Sequence, residues 1–112
     1  MANPFFKNYG PLNLKDIHEV LDIKNVNFNK KIKIFDIADL NSASNKDISF
    51  FHSNKYKSQA SITKAAACIT TKNLQHNLPN KCEKIIVENV LVSTAKVTGI
   101  LYPDSINDDF DN

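Results

Sequence analysis

From residue 48 onward, short apolar runs alternate with segments of helical period: ISFF, SNKYKSQASITKA, AAACITT, KNLQHNLPN, EKIIVEN and VLVSTAKVTGILY. The apolar runs have strand length and are bounded by polar turn formers, whereas the segments between them are long enough for a helix or a helical turn. This alternation argues for βαβ units, and so for an α/β sheet covered by helices. AAACITT, small at its start and β-branched at its end, suits a strand buried on both sides.

The first half of the chain adds a helix and a strand. Asn13 offers an N-cap to LKDIHEVLDI, where Leu14, Ile17, Val20 and Leu21 recur at helical spacing and Asp16 suits the first turn. KNVNFNKK is a polar connection. KIKIFDIADL then reads as one strand, with Ile32, Ile34 and Asp36 on one face and Phe35 and Ile37 on a partly buried second face. LNSASNKD is a loop, and SNKYKSQASITKA is a helix opened by Ser53 or Asn54. In the last helix Val90, Thr94, Val97 and Leu101 form one stripe, and Gly99 costs about 1 kcal/mol relative to alanine, which predicts early fraying. The expected architecture is a small mixed sheet flanked by helices. Residues 1–12 form an irregular lead-in, 13–102 the α/β domain and 103–112 an acidic linker.

At 112 residues the chain holds one modest core. A net charge of +2 from scattered lysines argues against nucleic acid. No apolar run approaches the roughly 18 to 20 residues of a membrane span, and MANPFFKNYGPLNL lacks a secretory h-region, so the expected location is the cytoplasm. Cys68 and Cys82 fit no metal spacing, and His18, His52 and His76 stand apart, so no metal site is expected. Two glycines in the whole chain leave no GxGxxG, GxxxxGK[ST] or GxSxG.

The corner at residues 47–59, DISFFHSNKYKSQ, concentrates aromatic and hydrogen-bonding side chains. Phe50 and Phe51 must point to opposite faces of a strand. Tyr56, early in the following helix, can lean back toward the strand end. Two readings stand. In one, all three rings pack beneath the helix. In the other, two rings flank a slot for a nucleobase, with Ser53 and Asn54 at its edge and Lys55 with the helix start drawing phosphate.

ISFFHSNKY, then AACITT, then IIVENVLVSTAKVTGILYPDS resemble the N-terminal domain of UDP-3-O-(3-hydroxyacyl)glucosamine N-acyltransferase, which makes the second acyl transfer of lipid A biosynthesis in Gram-negative bacteria. The likeness covers nearly the whole chain and is strongest from about Ile34 to Ser105. It implies a domain that binds the uridine end of UDP-3-O-acyl-glucosamine, with uracil stacked between Phe50 and Tyr56 and Phe51 left for the opposite face. Ser53 stands where the family has asparagine, with Asn54 beside it as a substitute at the uracil edge, and Lys55 matches a lysine near phosphate. The resemblance gives no role to Asp36 or to the loop through Asn45.

In that family the catalytic histidine and the acyl-carrier-protein contacts lie on a left-handed β-helix, which together with a C-terminal helical extension trimerises the enzyme. No hexapeptide repeat occurs in this sequence, and none of His18, His52 or His76 matches the catalytic histidine. The resemblance therefore implies a recognition domain without a catalytic residue or cofactor, inactive alone and monomeric, whereas a full-length member is a homotrimer. Two rival readings are a stand-alone interaction module and a UDP-binding module like those of the UDP-muramoyl peptide ligases.

Overall fold

A computed structural model describes residues 7–24 and 27–103. The start of the lead-in and the acidic linker from residue 104 lie outside the described residues. The elements in chain order are β1 (Leu12–Asn13), α1 (Leu14–Val20), β2 (Lys33–Ile34), β3 (Asp36–Ile37), β4 (Asp47–Phe51), a 3-10 turn (Asn54–Tyr56), α2 (Lys57–Ile62), β5 (Ala67–Thr70), a second 3-10 turn (Gln75–Asn77), β6 (Glu83–Ile86) and α3 (Val90–Leu101).

The α/β class holds, and its parallel and antiparallel parts fall into separate sheets. β3-β4-β5-β6 form a four-stranded sheet in sequence order. Every neighbouring pair in it is parallel, with Ile37 beside Ile48, Phe50 beside Ile69 and Thr70 beside Ile86. β1 and β2 form a separate antiparallel pair, Leu12 beside Ile34. KIKIFDIADL is thus two short strands rather than one. The chain changes partner at Phe35, whose N–H bonds to the Lys46 carbonyl at 2.8 Å. This corrects the expected faces: Ile34 and Ile37 are buried, but Phe35 is 44% exposed.

Side-chain alternation along the strands builds two cores. Ile48, Ala67, Ile69 and Ile85 point to one face and pack with Leu14 and Ile17 of α1 and Val97 and Leu101 of α3. Phe51 and Cys68 point to the other, beneath Ala60 of α2 and the loop residues Ala38 and Leu40. All four residues of β5 are buried, as expected for a strand covered on both faces.

Caps fix the helix ends. Asn13 and Asp16 form a reciprocal capping box, with distances of 2.9 and 3.2 Å. α1 stops at Val20, short of the expected Ile23. Asp22 adopts a left-handed φ of 56°, while Asp22 and Ile23 donate N–H bonds back to Glu19 and His18. α3 continues past Gly99 to Leu101 because Val97 and Leu101 are fully buried. Among the described residues, no helix is long and apolar enough to cross a membrane.

Candidate functional site

In open parallel sheets, ligands collect beyond the carboxyl ends of the strands. Here a cleft of about 270 Å³ lies beyond β3 and β4, lined by Asp39, Leu40, Asn41, Phe50, His52, Tyr56 and Gln59. A larger cleft of about 670 Å³ opens at the amino ends, among residues such as Asn45, Lys64, Ala66 and Lys81. It offers lysines and small residues but no aromatic ring, so the smaller cleft is the better candidate for a planar ligand.

Phe50 and Tyr56 reach the cleft from different supports. Phe50 stands on β4 and leans, half-buried, against the core formed with α1 and α3. Tyr56 ends the 3-10 turn and packs, also half-buried, against the opposite core under α2. The ring pairs in contact among the described residues are His18 with Phe28 and His52 with Tyr56; Phe50 and Tyr56 are not among them. Phe51 is wholly buried on the α2 face.

Two buried hydroxyl bonds stiffen the walls. Thr63, at the end of α2, donates Oγ1–H to the Leu40 carbonyl at 2.8 Å, tying the Asp39–Asn41 loop to the helix that follows Tyr56. Thr70 donates to the Phe51 carbonyl at 2.8 Å, fixing the end of β4.

Ser53, Asn54 and Lys55 do not line the cleft. The Ser53 hydroxyl accepts the Lys55 N–H at 3.2 Å as the cap of the 3-10 turn. Asn54 is exposed. The Lys55 ammonium lies 5.7 Å from the centroid of the Tyr56 ring, within cation–π range.

Sequence reasoning passed over Asp39, Asn41, His52 and Gln59. Asp39 accepts the Ser42 N–H at 2.8 Å, and this hydrogen bonding holds its carboxyl below the usual range, so it is ionised at neutral pH. The His52 ring sits 5.5 Å from that of Tyr56, tilted by 44°. Gln59 lies three residues beyond Tyr56, a spacing that brings side chains to one face of a helix and would have pointed to it. Asp39 and Asn41 come from a loop that meets the cleft only through parallel pairing of β3 with β4, and no local pattern marks them.

The remaining reactive groups lie elsewhere. His18 is buried against Phe28 at 4.8 Å between centroids, and desolvation lowers its pKa. His76 is exposed on the second 3-10 turn. Burial pushes the Cys82 thiol up to about 11 and the Cys68 thiol further still, so neither is a ready nucleophile. Among the described residues, no group of three or more His, Cys, Asp or Glu could hold a metal ion.

A sequence model of the UDP-3-O-(3-hydroxymyristoyl) glucosamine N-acyltransferase (LpxD) family matches residues 31–100. The chain is 35% identical over 104 residues to the UDP-3-O-acylglucosamine N-acyltransferase of Rickettsia prowazekii, and 41% identical over 106 residues to that of Rickettsia massiliae. Each match covers 91% of this chain, and the chain spans 30% of the length of these curated relatives.

Proposed function

The chain belongs to the UDP-3-O-(3-hydroxymyristoyl) glucosamine N-acyltransferase (LpxD) family, and from that premise we propose that its β4–α2 corner holds the uridine end of UDP-3-O-acyl-glucosamine. The observation that carries this reading is the placement of Phe50 and Tyr56 on one cleft, out of contact with each other and backed by separate cores. The cleft falls just short of the roughly 300 Å³ at which drug-sized pockets begin, which suits a single ring with the remainder of the ligand outside. Stacking on aromatic rings is worth about 1–3 kcal/mol per base. Lys55, beside Tyr56 and exposed, is available to the diphosphate as it leaves the cleft.

In the proposed reaction the glucosamine 2-amine attacks an acyl thioester on acyl carrier protein, a step of lipid A biosynthesis. We assign the general base to a histidine outside this sequence, as the family resemblance implies, since none of His18, His52 and His76 matches the catalytic histidine. The contribution of this region is orientation: fixing the nucleotide limits the positions the amine can take. Calorimetric titration of UDP against the purified chain tests the reading. Saturable binding that weakens in Phe50→Ala and Tyr56→Ala, with the fold intact, supports it. Equal binding by wild type and both variants refutes it.

A further inference from the structure

Stacking holds a flat ring but does not identify it, because every base has a π-face. Identity has to be read along the ring edge. The Ser53 hydroxyl is engaged in capping and lies outside the cleft. Four polar residues do line it: Asp39, Asn41, His52 and Gln59. His52 rests beside the Tyr56 ring and extends that wall.

We propose that Asp39, Asn41 and Gln59 read the edge of the bound ring, and that they select an imide edge, with N–H between two carbonyls, over an edge whose central nitrogen carries no hydrogen. The inference rests on the nucleotide reading above and adds to it the basis of selectivity.

The three side chains supply the complementary pattern. Asp39 is ionised and can only accept. Its Oδ1 takes the Ser42 N–H, leaving the carboxylate with further acceptor capacity for a ring N–H in a charge-assisted bond. Asn41 and Gln59 each carry an amide NH2, and neither side chain has a hydrogen bond to another described residue. A carboxylate acceptor and two amide donors on one cleft supply the partners that the acceptor–donor–acceptor edge of uracil needs. Cytosine has a lone pair at the central nitrogen and would set it against the carboxylate. The Asp39–Ser42 turn and the Thr63–Leu40 bond hold these groups on a fixed wall, so selectivity does not depend on ordering a loose loop. The negative charge of Asp39 also repels a diphosphate, whereas the Lys55 ammonium beside Tyr56 attracts it.

The test titrates UDP, CDP and N3-methyluridine 5′-diphosphate into wild type, Asp39→Asn and Tyr56→Ala. In Asp39→Asn the amide oxygen can still accept the Ser42 N–H, so the turn persists, and its NH2 can donate to the cytosine nitrogen. The expected result is that CDP and the methylated nucleotide bind wild type at least about tenfold more weakly than UDP. Asp39→Asn should narrow the UDP-to-CDP gap several-fold, and Tyr56→Ala should weaken both nucleotides by a similar factor. UDP and CDP binding wild type equally, with both weakened by Tyr56→Ala, would overturn edge reading while leaving the stacking cleft. No binding of any of the three would overturn both.

Discussion

Phe50 and Phe51 are neighbours on β4 with opposite surroundings: Phe51 is completely buried among Ala38, Ala60 and Cys68, whereas Phe50 is half-buried and lines the cleft. The same substitution should therefore act through different quantities. Phe51→Ala removes a core ring and should cost about 3–5 kcal/mol, enough to unfold much of a marginally stable domain. Phe50→Ala should leave a cooperative unfolding transition and reduce UDP affinity by roughly 5- to 150-fold, the equivalent of about 1–3 kcal/mol of stacking. Denaturant melts and calorimetry on both variants check the pair. Phe51→Ala that melts like wild type would contradict the assigned burial.

Tyr102, at the C-cap of α3, donates its hydroxyl to Asp36 Oδ1 at 2.8 Å, at the head of β3. Asn8 donates to the same hydroxyl oxygen at 3.1 Å and to the Phe35 carbonyl at 2.8 Å. Three segments remote in sequence are joined there, and none of these residues lines the cleft. Desolvation and the hydrogen bond to Asp36 both raise the Tyr102 pKa, so the phenol stays protonated and keeps donating. Tyr102→Phe retains the ring and removes the donor. It should cost about 1–2 kcal/mol in urea denaturation with UDP affinity unchanged.

Most of the sheet was legible where one run of residues carries one role. ISFF, AAACITT and EKIIVEN became β4, β5 and β6 because each is a short apolar run with residues fixed in the cores on the sheet's faces. KIKIFDIADL was not legible, since its two halves pair with different partners and an apolar pattern does not say where pairing switches. The same limit applies to the cleft. Phe50, Tyr56 and the cap at Ser53 are neighbours along the chain, so the corner could be read locally. Asp39 and Asn41 reach it through long-range pairing, and only the folded sheet brings them in.

His18 gives the domain an acid sensitivity. Its ring is buried, its Nδ1 has no hydrogen-bond partner among the described residues, and desolvation lowers its pKa from 6.5, with the Glu83 carboxylate partly opposing. With the folded-state pKa below the unfolded one, the unfolded chain binds the proton more readily. The stability contribution of neutral His18 is therefore fully present above the unfolded value and is lost as pH falls below it. Melting temperature should decline between pH 7 and pH 5, and His18→Leu should reduce that slope. An unchanged slope in the variant would assign the acid response to other groups.

Cys68 and Cys82 belong to the same core cluster, the first wholly buried and the second 2% exposed. Thiol reagents attack the thiolate, so both access and ionisation have to be favourable. With Cys82 pushed up to about 11, only about one molecule in a thousand is ionised there at pH 8, and Cys68 is less ionised still. Cys82 lines the large cleft at the amino ends of the strands, whereas Cys68 is inside β5. A disulfide-exchange reagent at pH 8 should therefore label Cys82 slowly and Cys68 more slowly, with both reacting at once after denaturation. Mass spectrometry of partly labelled protein gives the order directly. Rapid, equal labelling of both thiols in the native protein would mean that the core beneath α2, against which Tyr56 packs, opens on the labelling timescale.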